Sequence, residues 1–215
     1  MGLLEPSFDP TGFTKNRQRL LRHSAAQRFF DEVVRQAASL GLLSDEHFTV
    51  DGTLIEAAAS LKSFRPKDRP PGSAPPDDPG NPTVNFRSER RSNATHRSTT
   101  DPEAHLAKKG KGKEARLAFM GHALMENRNG LVVDYQLSHA TGTAERDIAA
   151  KLVDEARERG LHPRTLAADK SYDTVGGFRR TRYRGLERTQ LSGYLMATAY
   201  NLVRMARLAA AVTAA

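Results

Sequence analysis

The chain has 215 residues, with 33 Lys or Arg against 25 Asp or Glu, a formal net charge of +8 and no cysteine. The length suits one good-sized domain, or one domain with an appendage, and the basic excess suits a polyanionic partner. The composition excludes a disulfide scaffold, cysteine-ligated zinc and a cysteine nucleophile; no apolar run could span a membrane, and the opening Met1-Gly2-Leu3-Leu4-Glu5-Pro6 is neither a secretory signal nor a myristoylation site.

Residues 1 to 13 hold Pro and Gly and read as irregular; helical patterning starts at Thr14. Lys15 to His23 is a short basic helix whose charges either touch phosphate or form a solvated face. Ser24 can cap a helix with an apolar face of Phe29, Phe30, Val33, Val34, Ala37 and Leu40, stopped by Gly41. Next comes Phe48-Thr49-Val50-Asp51-Gly52-Thr53-Leu54-Ile55, a short strand with one acid planted in it. Asp is depleted in strands, and a buried carboxylate is costly unless it is paired, hydrogen-bonded or bound to metal. Residues 63 to 115 are rich in Pro, Ser, Gly and basic side chains and read as a long mobile basic loop, either a DNA-contacting arm or an inert linker.

Ordered patterning resumes at Arg116. Leu117 to Met125 and Leu131 to Leu137 form an antiparallel hairpin about an Asn129-Gly130 turn, with Asp134 on its solvated face. The following helix is capped by Thr141 or Thr143, carries Glu145 in its first turn and buries Ile148, Ala149, Leu152, Val153 and Ala156; Gly160 ends it. Thr165-Leu166-Ala167-Ala168 is a second short apolar run that leads into an acid, Asp169. Helical periodicity then runs from about Gln190 to Val212.

The order is strand with acid, insertion, hairpin, helix, strand with acid, C-terminal helix. It suits an α/β fold of the ribonuclease-H-like kind, in which a central sheet carries acids at neighbouring strand ends. Asp51 and Asp169 could meet there and share divalent metal. Phosphoryl transfer on nucleic acid needs charge neutralised at the phosphate and an activated nucleophile, and two Mg²⁺ ions about 4 Å apart supply both. The plainer reading of either Asp is a turn former or helix cap. Asp173 reads as a cap or as a support behind the site. The seven histidines show no metal-binding spacing, and there is no phosphate-cradling Gly loop or Ser/His/Asp arrangement.

Four stretches carry a resemblance: EHFTVDGTLIEAAASLKSFRPKD (46–68), FRSERRSNATHRSTTDPEAHLAKKGKGKEARLAFMGHALMENRNGLVVD (86–134), LAADKSYDT (166–174) and TVGGFRRTRYRGLERTQLSGYLMATAYNLVRM (174–205). They resemble bacterial insertion-sequence transposases of the DDE class, in the group of the type-4 and type-5 insertion sequences, over nearly the whole chain from about Phe13. The resemblance implies a ribonuclease-H-like catalytic domain at 46–215 with the basic insertion at about 63–115, after an N-terminal helical segment at 1–45. It implies two Mg²⁺ (or Mn²⁺) ions, cleavage and strand transfer on double-stranded DNA, and a nucleoid-associated place in the bacterial cytoplasm. By motif, Asp51 is the first catalytic acid and metal ligand and Asp169 the second. Lys170 and Tyr172 sit beside them, and Lys170, Arg179, Arg180, Arg182 and Arg184 face the nucleic acid.

The chain departs from that pattern in two places. The part before Phe13 is short against the family. A helix–strand–helix block that carries the third acid, a Glu, is missing where Asp173-Thr174 runs straight into Val175-Gly176-Gly177. Glu187 is the only nearby downstream glutamate. The core is therefore expected to lack a strand and its covering helices, and little or no cleavage is expected. The alternative is a non-catalytic DNA-binding fragment, self-associating or paired with an intact transposase that it inhibits. The run Arg179, Arg180, Arg182, Arg184 and Arg188 either contacts phosphates or solvates a helix start, with phosphate contact favoured by the basic balance.

Overall fold

In the strand Arg116–Glu126 every residue after Arg116 is buried, which requires neighbours on both edges and cover on both faces. The structure, a computed structural model, describes residues 10–67, 85–86, 89–108, 114–141, 144–168 and 178–213. Its helices are α1 (Pro10–Arg22), α2 (Ala25–Ser39), α3 (Ala144–Glu158) and α4 (Leu186–Thr213). Its strands are β1 (His47–Glu56), β2 (Phe64–Pro66), β3 (Asn85–Phe86), β4 (Glu89–Arg90), β5 (His96–Ser98), β6 (His105–Ala107), β7 (Arg116–Glu126), β8 (Leu131–His139) and β9 (Thr165–Ala168). The result is a mixed α/β architecture.

On one edge β7 pairs antiparallel with β1, from Phe48 opposite Glu126 to Glu56 opposite Ala118. On the other edge it pairs with β8, and β6 continues that line at the far end. β9 adds to the outer edge of β1 in parallel. The β7–β8 turn is held by a fully buried carboxylate. Glu126 accepts from the Arg128 and Asn129 backbone N–H groups at 2.8 and 2.9 Å and from Ser44 Oγ at 2.6 Å. Gly130 supplies the positive φ of 65° that the turn needs.

α2, α3 and α4 share one core with the sheet: Phe30 and Val34, Leu152 and Ala156, and Ala197 meet Phe48, Val50, Leu124, Val132 and Val133. α2 is thus built into the same core as the strands, while α1 packs through Leu20 and Leu21 against Ala26 of α2 and Leu191 of α4. α1 begins at Pro10, earlier than the expected Thr14, since proline is well suited to the first turn of a helix. α4 lies so close to β8 that its polar side chains serve as the missing strand. Asn201 donates to Val132 O at 2.7 Å and accepts from Val132 N at 2.9 Å, while Gln190 bridges Tyr135 O and Leu137 N. An edge that would otherwise offer bare backbone groups is closed. Two glycines permit the approach: a Cβ on Gly121 would fall 2.5 Å from Tyr135 Oη, and one on Gly193 would run into the Tyr135 ring.

The expected mobile loop at 63–115 is a correction where it is described. β2 pairs with β5, β6 joins the main sheet, and Phe64, Ser98, Asp101 and Ala104 are buried. Polar residues act there as ties rather than as solvated chain. Asn93 clasps the backbone of Leu106 through both amide atoms, at 2.7 and 3.0 Å, and Ser63 Oγ meets Ser98 Oγ at 2.8 Å.

The Tyr135 hydroxyl is buried and has no hydrogen-bond partner among the described residues. Tyr135→Phe is therefore expected to leave stability within about 0.5 kcal/mol of wild type, or to raise it. Gly193→Ala should cost about 2 kcal/mol or more through overpacking. Urea unfolding of the two variants checks both.

Candidate functional site

Asp51 lies on β1 opposite Ala123 of β7, half-buried, and Thr53 Oγ1 donates to its Oδ2 at 3.4 Å. β9 accompanies β1 on its outer edge as far as Val50 opposite Ala168. The chain meets that same edge again at Arg180, which bridges Glu56: Glu56 N donates to Arg179 O at 2.8 Å and Thr181 N to Glu56 O at 2.9 Å. Asp51 is thus the first β1 residue beyond the last described β9 pair. Asp169, Lys170, Tyr172 and Asp173 lie outside the described residues.

Glu145, read from sequence only as a first-turn residue of its helix, lies across β1. A Cβ on Gly52 would fall 2.9 Å from Glu145 Cγ and 3.0 Å from Oε1. Strand alternation points Gly52 to the face opposite that of Asp51, so Glu145 covers the strand from the α3 side. Glu187, the other acid considered, lines a small cleft with Leu20, Leu21, Ser24 and Leu191, where α1 and α2 meet α4, and no β1 residue borders it. Among the described residues, no group of three or more His, Asp or Glu is placed to hold a metal ion. The carboxylate of Asp51 and hydroxyl of Thr53 are oxygen donors, which suits Mg²⁺ or Mn²⁺.

The basic run is a pinned chain with alternating exposure. Thr181 is buried, hydrogen-bonded to Glu56 O and 3.3 Å from Thr189 Oγ1; Tyr183 is half-buried; Gly185 N donates to the Asp101 carboxylate at 3.1 Å. Between these anchors Arg180, Arg182 and Arg184 are exposed. Arg180 also lies 3.9 Å from Glu56, a carboxylate that Arg116 meets at 2.8 Å.

Asp134, expected on a solvated face, is only 4% exposed. α3 packs across β8, and Asp134 accepts from Arg159 and from the Tyr135 N–H. Arg159 also lies 3.6 Å from Asp31. Burial pushes the Asp134 carboxyl up to about 6, with Arg159 opposing the shift. His122, opposite Gly52, is fully buried, bonded to Ser138 Oγ at 2.9 Å and pushed down to about 4 by burial.

The structure thus sets one strand acid just past a parallel strand pair, on the edge that an arginine-bearing return of the chain also meets. Residues 43–178, well over half of the chain, match the family described as transposase DDE domain, and the chain belongs to that family. No curated protein and no solved structure matches it. No helix of the described residues is long and apolar enough to cross a membrane.

Asp134 gives the fold a defined pH response. The folded chain holds its proton more tightly than the unfolded chain, where the usual value is 3.8. Its stabilising contribution is full below that value and is lost as pH rises to about 6. The melting temperature of wild type relative to Asp134→Asn should fall across that window and be level above it. Taking the difference removes His122, which acts in the opposite sense. A difference independent of pH would contradict the assignment.

Proposed function

We propose that this chain is an insertion-sequence transposase that binds double-stranded DNA through the Arg179, Arg180, Arg182 and Arg184 run, with Lys170, and holds divalent cation at Asp51 and Asp169. The observation that carries the reading is the parallel ladder of β1 and β9. Val50 stands opposite Ala168, and each chain continues directly into its acid. A ladder extended by one residue would set the two carboxylates on neighbouring backbones about 4.8 Å apart. The order of strands, with β9 parallel to β1 and an α3 crossover from β8, supports a ribonuclease-H-like core.

Mg²⁺ or Mn²⁺, when bound, supplies charge neutralisation at the phosphate and an activated nucleophile. The chain's own residues do the rest. Asp51 offers its carboxylate at a position fixed by the β1–β7 ladder, with the Thr53 hydroxyl on Oδ2. The exposed arginines hold the phosphodiester backbone without reading base sequence. The DNA partner sets the place of action in the bacterial cytoplasm, at the nucleoid.

Glu145 covers β1 from the face opposite Asp51, and Glu187 lies in the cleft where α1 and α2 meet α4. That observation favours DNA holding over DNA cutting, and with it the second reading: a fragment that binds DNA and inhibits an intact transposase, alone or as a mixed oligomer. Nicking of supercoiled plasmid in Mg²⁺ or Mn²⁺, together with filter binding at several salt concentrations, tests both. Expected are binding that weakens steeply with salt and faint nicking that Asp51→Asn removes. Strong nicking that survives Asp51→Asn would rule out the site, and failure to bind DNA at moderate salt would rule out both readings.

A further inference from the structure

An aromatic contact ties α1 to the basic run. The Arg17 guanidinium lies over the Tyr183 ring, 5.2 Å from its centroid. Both residues are half-buried, and the helix is seated beside them by Leu20 and Leu21 against Leu191 and Leu195 of α4. Tyr183 is the middle of three inward anchors in the run. Thr181 is fixed by the β1 bridge and its hydroxyl accepts from the Tyr183 N–H at 3.0 Å; Gly185 is fixed by Asp101. Thr181 is held through its backbone and its hydroxyl, and Gly185 through its backbone N–H at a positive φ of 87°. Tyr183 is held through its N–H and also through its ring, which is what α1 grips.

We infer that Arg17 is a positioning residue for phosphate binding: its stack on Tyr183 fixes the backbone between Thr181 and Gly185, so that Arg182 and Arg184 are presented to a DNA backbone already ordered. This rests on the reading of the run as a DNA contact. Arginine suits the task, since its planar guanidinium stacks on an aromatic face while remaining charged. The helical positions agree: Arg17 shares the α4-facing side of α1 with Leu20 and Leu21, whereas Arg19 and Arg22 point elsewhere and are exposed. Ordering an arginine-bearing segment before DNA arrives removes an entropy cost that binding would otherwise carry.

The salt dependence of binding separates positioning from contact. Each phosphate neutralised contributes about 0.9 to the slope of log K against log salt on duplex DNA. Fluorescence anisotropy on a labelled duplex of arbitrary sequence, with the full-length chain, gives both affinity and slope. Arg182→Ala and Arg184→Ala should each lower the slope by about 0.9. Arg17→Ala and Tyr183→Ala should weaken binding by roughly two- to fivefold, the scale of an exposed cation–aromatic contact, and leave the slope unchanged. Tyr183→Phe keeps the ring and should match wild type in both. A thermal melt of each variant confirms that it is folded, and Arg17→Met, which keeps the aliphatic packing, stands in if Arg17→Ala is not. A slope lowered by about 0.9 in the Arg17 variant would make it a direct phosphate contact and overturn the inference. Unchanged affinity in that variant would overturn it as well. Absence of salt-dependent binding in wild type would remove the DNA reading itself, a result distinct from either.

Discussion

The constraint on which the structure depends is the burial of β7. With all its residues from Leu117 to Glu126 out of solvent, β7 must be paired on both edges and covered on both faces. β1 and β8 fill the edges. α2, α3 and α4 bury one set of side chains around Phe48, Val50 and Leu124, and a second cluster of Ile55, Phe64, Phe119 and Leu137 closes the sheet's other end. Tyr135, between Gly121 and Gly193, sets how near α4 may come, and that nearness lets Gln190 and Asn201 serve as strand partners for β8.

The same ladder sets the place of Asp51: β1 is registered on β7, and β9 is registered on β1 as far as Val50 opposite Ala168. The return of the chain to Glu56 through Arg180 brings the arginines to the same edge. The outer edge of β1 is therefore met twice, by β9 and by the 179–181 stretch. The edge beyond β9 keeps an exposed apolar residue, Leu166, at 45%.

The hairpin was legible because Asn129-Gly130 names its own turn and the flanking runs are apolar. The α3 stripe was legible from period, and so was that of α2 at Phe30, Val33, Val34 and Ala37, while Phe29 and Leu40, expected on the same face, are exposed; Gly41 and Gly160 end the two helices at positive φ. Three features were not. Asp134 alternates correctly along β8, but alternation within one strand does not say which helix covers that face. The 63–115 stretch looks solvated by composition, yet its Asn93, Ser63 and Ser98 spend their polarity on tertiary bonds. α4 starts at Leu186 rather than near Gln190, since Asp101 and Glu103, far off in sequence, accept from Gly185 N and Leu186 N at its first turn. Of the candidate site, the strand setting of Asp51 was legible. The approach of Glu145 to Gly52 and the Arg17–Tyr183 stack were not, because both join elements by packing that no local pattern encodes.

The most direct test is a titration of Mn²⁺ followed by the electron paramagnetic resonance of the free ion, on wild type, Asp51→Asn and Asp169→Asn. A cation shared by the two strand acids predicts that wild type removes the free-ion signal at low excess of protein and that either substitution alone restores it. Equal uptake of Mn²⁺ by wild type and both variants would contradict the shared site.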